Sequence, residues 1–186
     1  MLIGKTSIPK PGESVCGDKY SIIKKNKNTI IAVVDGLGHG PEAAEAAEAA
    51  CECVSQYSGN SLRQMFDECD RSLKNTRGAA MTVVMIDNET DIAQFAAVGN
   101  VEVKSKTHDK ISTLNSPGIV GRRIRKLNTS NFRLKPRDTI VIHTDGISNK
   151  FNLDEINDDC PQAMADKIME NYSRGNDDST CVVIKY

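Results

Sequence analysis

Tryptophan is absent and aromatics make up only 4% of the 186 residues, so the interior has to be built from Ile, Val, Ala and Met rather than from stacked rings. A dominant charge of one sign is missing as well. The 24 Lys and Arg nearly cancel the 25 Asp and Glu, leaving a net charge of -1, and no global field would draw the chain to nucleic acid or to an anionic membrane. The one basic cluster, Arg122, Arg123, Arg125 and Lys126, has no interleaved aromatics. It reads as a solvated loop or helix face, with contact to a phosphoprotein as its alternative role. Long apolar runs are lacking: the longest, residues 30–34, is far too short to span a bilayer, and the opening MLIGKTSIPK has no stretch like a signal peptide. The expected location is cytoplasmic.

The six cysteines form no compact framework, and Cys51 and Cys53 fall in a helical pattern, which favours reduced thiols. No two Cys-x-x-Cys pairs or Cys/His sets occur, which argues against zinc. Nor is any cysteine followed six residues later by Arg, the spacing with which a thiolate phosphatase loop cradles phosphate. Repeats, low-complexity segments and Gly/Ser/Pro linkers are also absent, so residues 1–186 fit one domain with one sizeable core.

What is present is a series of apolar segments that end in acids. Residues 29–34 form a β-branched run that stops at Asp35-Gly36, a buried strand delivering a carboxylate into a glycine-rich turn. Pro41 opens a helix with Ala43, Ala46, Ala47, Ala50, Cys51 and Val54 on one face. A second helix follows Gly59-Asn60, with Ser61 as N-cap and Leu62, Met65, Phe66, Cys69 and Leu73 as its stripe. Residues 79–86 and 92–98 read as a hairpin closed by residues 87–90, and strands are expected at 101–106 and 111–114. After a less regular stretch, residues 139–144 form another apolar strand ending at Asp145-Gly146. A third helix is expected over residues 161–172, then a loop over 174–178 and a last strand over 180–185. Helices are grouped rather than alternated with strands, which predicts an α+β protein of layered antiparallel sheets.

Hard divalent cations take carboxylate, carbonyl and water oxygens, and a short Asp side chain at a strand end followed by Gly suits them. One Asp-Gly pair is ordinary turn chemistry; two after apolar strands carry more weight. Asp18 and Asp177-Asp178 add acids where loops meet strands. Two metals about 3.5–4 Å apart can activate water for phosphate ester hydrolysis without a protein nucleophile.

The strings SVCGDKY, IIAVVDGLGHG, NTRGAAMTVV, AVGNVEV, VIHTDGI and NDDSTCVVI, in that order and spanning nearly the whole chain, resemble the motifs of the metal-dependent PPM-type serine/threonine protein phosphatases, in their small bacterial SpoIIE/RsbX-like branch. The resemblance implies a four-layer α-β-β-α sandwich, two antiparallel sheets flanked by helices. It also implies two divalent cations, Mn²⁺ or Mg²⁺. By matching position Asp35 bridges both, the Gly36 carbonyl completes one shell, Asp145 and Asp177 hold the other ion, and Asp18 acts directly or through metal-bound water. Asp177 rather than Asp178 fits the family register. Asp35 and Asp18 are thereby the catalytic acids, working on metal-activated water. Gly99-Asn100 stands where larger relatives have Gly-Asp for an additional metal. The implied partner is a phosphorylated protein, a STAS-domain regulator of bacterial stress signalling acted on by a monomer, with no nucleic acid and no membrane.

Two other functions are open to the same residues: a receiver-like Mg²⁺ pocket phosphorylated on aspartate, which requires alternating strands and helices, and a noncatalytic phosphatase-like binding module, which usually loses a bridging acid. His39 reads as a helix-start residue or a proton donor to the leaving oxygen. His143 reads as a satisfied core residue, His108 as solvated, Cys16 as packing and Thr82 as structural.

Overall fold

Residues 1–25, 27–59, 61–156 and 158–186 are described in the computed structural model. In chain order the elements are β1 (Leu2–Ile8), β2 (Asp18–Lys25), β3 (Asn28–Gly36), α1 (Pro41–Gln56), α2 (Leu62–Ser72), β4 (Ala79–Asp87) and β5 (Ile92–Val98). There follow β6 (Glu102–Lys106), β7 (Gly118–Ile119), β8 (Arg123–Ile124), β9 (Thr129–Arg133), β10 (Thr139–His143), α3 (Pro161–Tyr172) and β11 (Ser179–Lys185). One sheet has the order β2-β3-β4-β5-β9 and the other β1-β11-β10-β6, antiparallel throughout, with β7-β8 as a small separate hairpin.

Residues of β3 alternate between two cores because successive side chains leave opposite faces of a strand. Ala32 and Val34 point to α1 and α2, while Ile31 and Val33 meet Ile140, Ile142, Val182 and Ile184 of the other sheet. Val141, Cys181 and Val183 face outward from that second sheet and are covered by Met164, Ala165 and Ile168 of α3. The result is the expected four layers: α1 and α2, one sheet, the other sheet, α3. The alanine stripe of α1 is wholly buried, and its small side chains let the helix lie close on β3. Ser61 caps α2 by accepting the Gln64 N–H, as expected; Asn60 before it lies outside the described residues. Asp91, at φ 59°, closes the β4–β5 hairpin, and Asp87 accepts the N–H groups of Glu89 and Thr90.

Two expectations need correction. Residues 111–114 are not a strand: the place beside β5 is taken by β9, in register from Ile92↔Arg133 to Ala96↔Thr129, and the segment is held instead by bonds such as Ser130 Oγ to the Ser112 carbonyl. The stretch after it is more ordered than its Gly, Arg and Asn content predicts, since it supplies β7, β8 and β9. The strands β1 and β2 were not anticipated either. Among the described residues no helix is long and apolar enough to cross a membrane.

Candidate metal centre

Four strand ends meet at one end of the sandwich. Asp18 opens β2 and Asp35 lies near the close of β3, and the two are directly opposed in the ladder. Asp145 follows the end of β10, and Asp177 precedes the start of β11, the strand paired with it. Each sheet thus contributes two carboxylates. Thr144 joins the sheets: its hydroxyl donates to Asp18 Oδ2 at 2.6 Å and accepts the Thr180 N–H at 2.9 Å.

Glycines let the backbones close around these acids. A Cβ on Gly36 would lie 2.0 Å from the Ala43 carbonyl oxygen of α1, and one on Gly146 would lie 1.9 Å from that of Asp178. Gly36 N–H donates to the Gly17 carbonyl at 3.1 Å, tying the Asp35 turn to the residue before Asp18.

The electrostatics record the crowding. Burial, then the neighbouring charges of Asp18, Asp145 and Asp177, push the Asp35 carboxyl up to about 8, with Asn100 opposing. Asp18, 5% exposed, is pushed up to about 7, chiefly by burial and also by Asp178 and Asp145, against the hydrogen bond from Thr144. All four expected acids and Gly36 are therefore brought into one neighbourhood. Among the described residues no three His, Cys, Asp or Glu side chains already have the arrangement that holds a metal ion; like charges oppose closure into a cage. The donor set nevertheless fits a hard divalent cation. It consists of carboxylate oxygens, and a positive charge among them would cancel the repulsion that raises Asp18 and Asp35. Asp178 adds a buried oxygen, Oδ2, without a hydrogen-bond partner.

The family scan settles the lineage: the model for Stage II sporulation protein E (SpoIIE) matches residues 25–186. The chain belongs to the SpoIIE family. Phosphoserine phosphatase RsbX of Bacillus subtilis (strain 168) is 30% identical to this SpoIIE-family chain over 141 residues, 75% of this chain and 71% of RsbX. A solved structure from work on the bacterial stressosome, "a modular system that has been adapted to control secondary messenger signaling", superposes with a TM-score of 0.93 at 32% identity, covering 98% of this chain and 97% of that one. A crystal structure of RsbX in complex with magnesium has a TM-score of 0.86 at 24% identity over 96% of this chain and 92% of that one, a likeness of fold.

Two residues at the centre of this SpoIIE-family fold, Asn100 and Thr144, are not among the ligands expected from sequence, and a third, Asp178, is expected only as the acid that gives way to Asp177 in the family register. Asn100 was noted only for the acid it replaces, yet its side-chain amide donates to Asp145 Oδ2 at 2.7 Å. Asp178 is 4% exposed, and its Oδ1 accepts the Lys10 N–H at 2.9 Å. Thr144 carried no signal, because its partners are distant in sequence. The other residues weighed lie to the side. His39 turns to Glu13, 2.5 Å away, at the entry to α1. His108 is not merely solvated: its backbone N–H donates to the buried Asp138 at 2.9 Å, and its ring Nδ1 lies 2.8 Å from the same carboxylate. His143 is only half satisfied, with Nδ1 3.0 Å from the Thr144 carbonyl and Nε2 unpaired. Thr82 donates to the Val101 carbonyl, a structural bond. Burial pushes the Cys16 thiol up to about 11, which favours the protonated thiol, and its Sγ donates to the Ile8 carbonyl at 3.4 Å.

Proposed function

We propose that this chain is a metal-dependent protein serine/threonine phosphatase that hydrolyses phosphoserine or phosphothreonine on a regulatory protein. The observation that carries the reading is the meeting of Asp18 and Asp35 from one sheet with Asp145 and Asp177 from the other, in a chain 30% identical to a phosphoserine phosphatase. Divalent cations, two of Mn²⁺ or Mg²⁺, supply the acidification of water and the screening of phosphate charge at such a site. Asp35 and Gly36 hold ions from the first sheet, and Asp145 and Asp177 hold them from the second. Asp18 acts beside them, with Thr144 fixing one of its oxygens. Asn100 orients Asp145. No cysteine serves as nucleophile.

The likeness to RsbX and to a stressosome structure supports a phosphorylated component of a stress-signalling complex as the substrate; we take it to be a STAS-domain regulator and the phosphatase to act on it as a cytoplasmic monomer. The receiver-like reading is set aside, because both main sheets are antiparallel. A noncatalytic module is disfavoured by the retention of all four acids. The purified chain should release phosphate from a phosphoserine protein with Mn²⁺ or Mg²⁺ and lose this activity with EDTA and in Asp35→Asn. Phosphate release that survives EDTA would sink the reading.

A further inference from the structure

At the proposed metal centre the ions would meet the phosphate itself, and the acids around them offer nothing to acidic residues that flank it. The positive charge lies elsewhere. No Asp or Glu occurs between Asp109 and Asp138, a stretch that holds eight Lys and Arg. Four of these, Arg122, Arg123, Arg125 and Lys126, are exposed on and around the β7–β8 hairpin. We infer that this hairpin is the docking surface for an acidic segment of the phosphorylated substrate protein, a surface that rests on the phosphatase reading and names how substrate is gripped.

The hairpin is a built platform rather than a loose loop. Val120 exchanges two backbone hydrogen bonds with Ala79, at 2.9 and 3.0 Å. Gly121 N–H donates to Asp70 of α2 at 2.8 Å, and Arg63 of α2 donates to the Leu127 carbonyl at 2.9 Å. Leu127 is buried in the core under α1 and α2, and Ile124 packs against that core. With those two side chains turned inward, Arg123, Arg125 and Lys126 are left exposed, and none of the three side chains forms an ion pair or hydrogen bond among the described residues. Arg122 differs. It donates to the carbonyls of Arg77 and Thr76 and so braces the hairpin. Between the arginines and Pro117, Gly118 and Ile119 lies a pocket of about 300 Å³, an apolar floor with a cationic rim.

Position connects this platform to the chemistry. Gly36 is paired with Ala79, and Ala79 is bridged to Val120. Two strand spacings, roughly 10 Å, therefore separate the Asp35 turn from the hairpin. A phosphorylated side chain can reach the acids while residues a few positions away lie on Arg123 and Arg125. Charges of this exposed kind act on encounter and on partner choice, and salt screens them.

The test compares two synthetic phosphoserine peptides, one flanked by Asp and Glu and one by Asn and Gln, with p-nitrophenyl phosphate as a substrate too small to touch the hairpin. The wild-type chain should favour the acidic peptide in kcat/KM by roughly tenfold at low salt, and the preference should fade by 0.5 M salt, about 4 Å in Debye length. Arg123→Glu combined with Arg125→Glu should abolish the preference while p-nitrophenyl phosphate turnover stays unchanged. Equal use of both peptides by the wild type, or a preference that survives the double variant, overturns the inference. Fluorescence anisotropy of the same peptides on Asp35→Asn keeps it testable if the wild type hydrolyses nothing: preferential binding of the acidic peptide, lost on adding the two Arg→Glu changes, would uphold the docking surface even as the phosphatase reading failed. A labelled single-stranded DNA that binds more tightly than the acidic peptide would also overturn it.

Discussion

Asp35 and Asp18 show how buried, clustered acids oppose folding. Both carboxyls are held above the ordinary carboxylate range, at about 8 and about 7, chiefly by burial, with like charges adding to it. The folded state therefore keeps protons that the unfolded chain gives up near pH 4. Stability without metal is fully present below that pH and declines as pH rises through 7 and 8. Thermal unfolding in EDTA should show Tm falling between pH 5 and 8. Asp35→Asn should flatten the decline and raise Tm at pH 8 by roughly 3–8 °C, the counterpart of about 1–3 kcal/mol in a chain of this size, while removing activity. A Tm that rises over this range would contradict the account. Thr144→Val makes the opposite test: it leaves Asp18 Oδ2 and the Thr180 N–H without their partner. It should cost about 1–3 kcal/mol in urea denaturation and weaken Mn²⁺ binding by roughly tenfold, as loss of an orienting bond does.

Helices are seated on sheets here through glycines that leave no room for a side chain. A Cβ on Gly4 of β1 would lie 2.1 Å from the Pro161 carbonyl oxygen of α3, as one on Gly36 of β3 would press on Ala43 of α1. Gly4→Ala and Gly36→Ala should each lower the urea midpoint by an amount corresponding to roughly 2–3 kcal/mol. Cation titration separates them, for only the Gly36 change shifts a backbone beside Asp35, so Gly4→Ala should bind Mn²⁺ normally while folded. The two positions also mark what was legible in sequence. The helices were, because each carries a long periodic stripe with Pro or Ser at its start, and so were β3, β4 and β10, which are rich in β-branched residues, and β5, an apolar run that returns from a polar turn. β9, Thr129–Arg133, is a polar edge strand of alternating exposure, and β1 and β2 are only partly buried; their place is decided by partners far along the chain. Residues 111–114 look more strand-like than 129–133, yet lose the position beside β5. The acids, Asp178 beside Asp177 included, were legible through strand ends and family motifs, whereas Asn100 and Thr144 acquire their meaning only when the two sheets are stacked.

The two sheets, joined face to face by a mainly aliphatic core, each bring two of the four acids proposed to bind metal, which would couple ion binding to the stability of the whole sandwich. A ligand that binds only the folded state stabilises by about 2.7 kcal/mol at 100 times its Kd, or roughly 5–11 °C in Tm for a protein of this length. Mn²⁺ or Mg²⁺ should produce such a rise at pH 8, where these acids carry more charge and the relief of repulsion is greater, and a smaller one at pH 5, where Asp18 and Asp35 keep their protons. Because the proposed ligands are divided between the sheets, Asp35→Asn in one and Asp145→Asn in the other should each remove most of the rise. Asp154→Asn, which breaks an exposed pair with Lys106, should leave it intact: Lys106 opposes Thr139 at the far end of the β6–β10 ladder from His143. Amide exchange should slow on cation binding at the Asp-bearing ends of β2, β3, β10 and β11 together. A slowing confined to one sheet would mean that the ion is held by that sheet alone, and the shared centre would have to be abandoned.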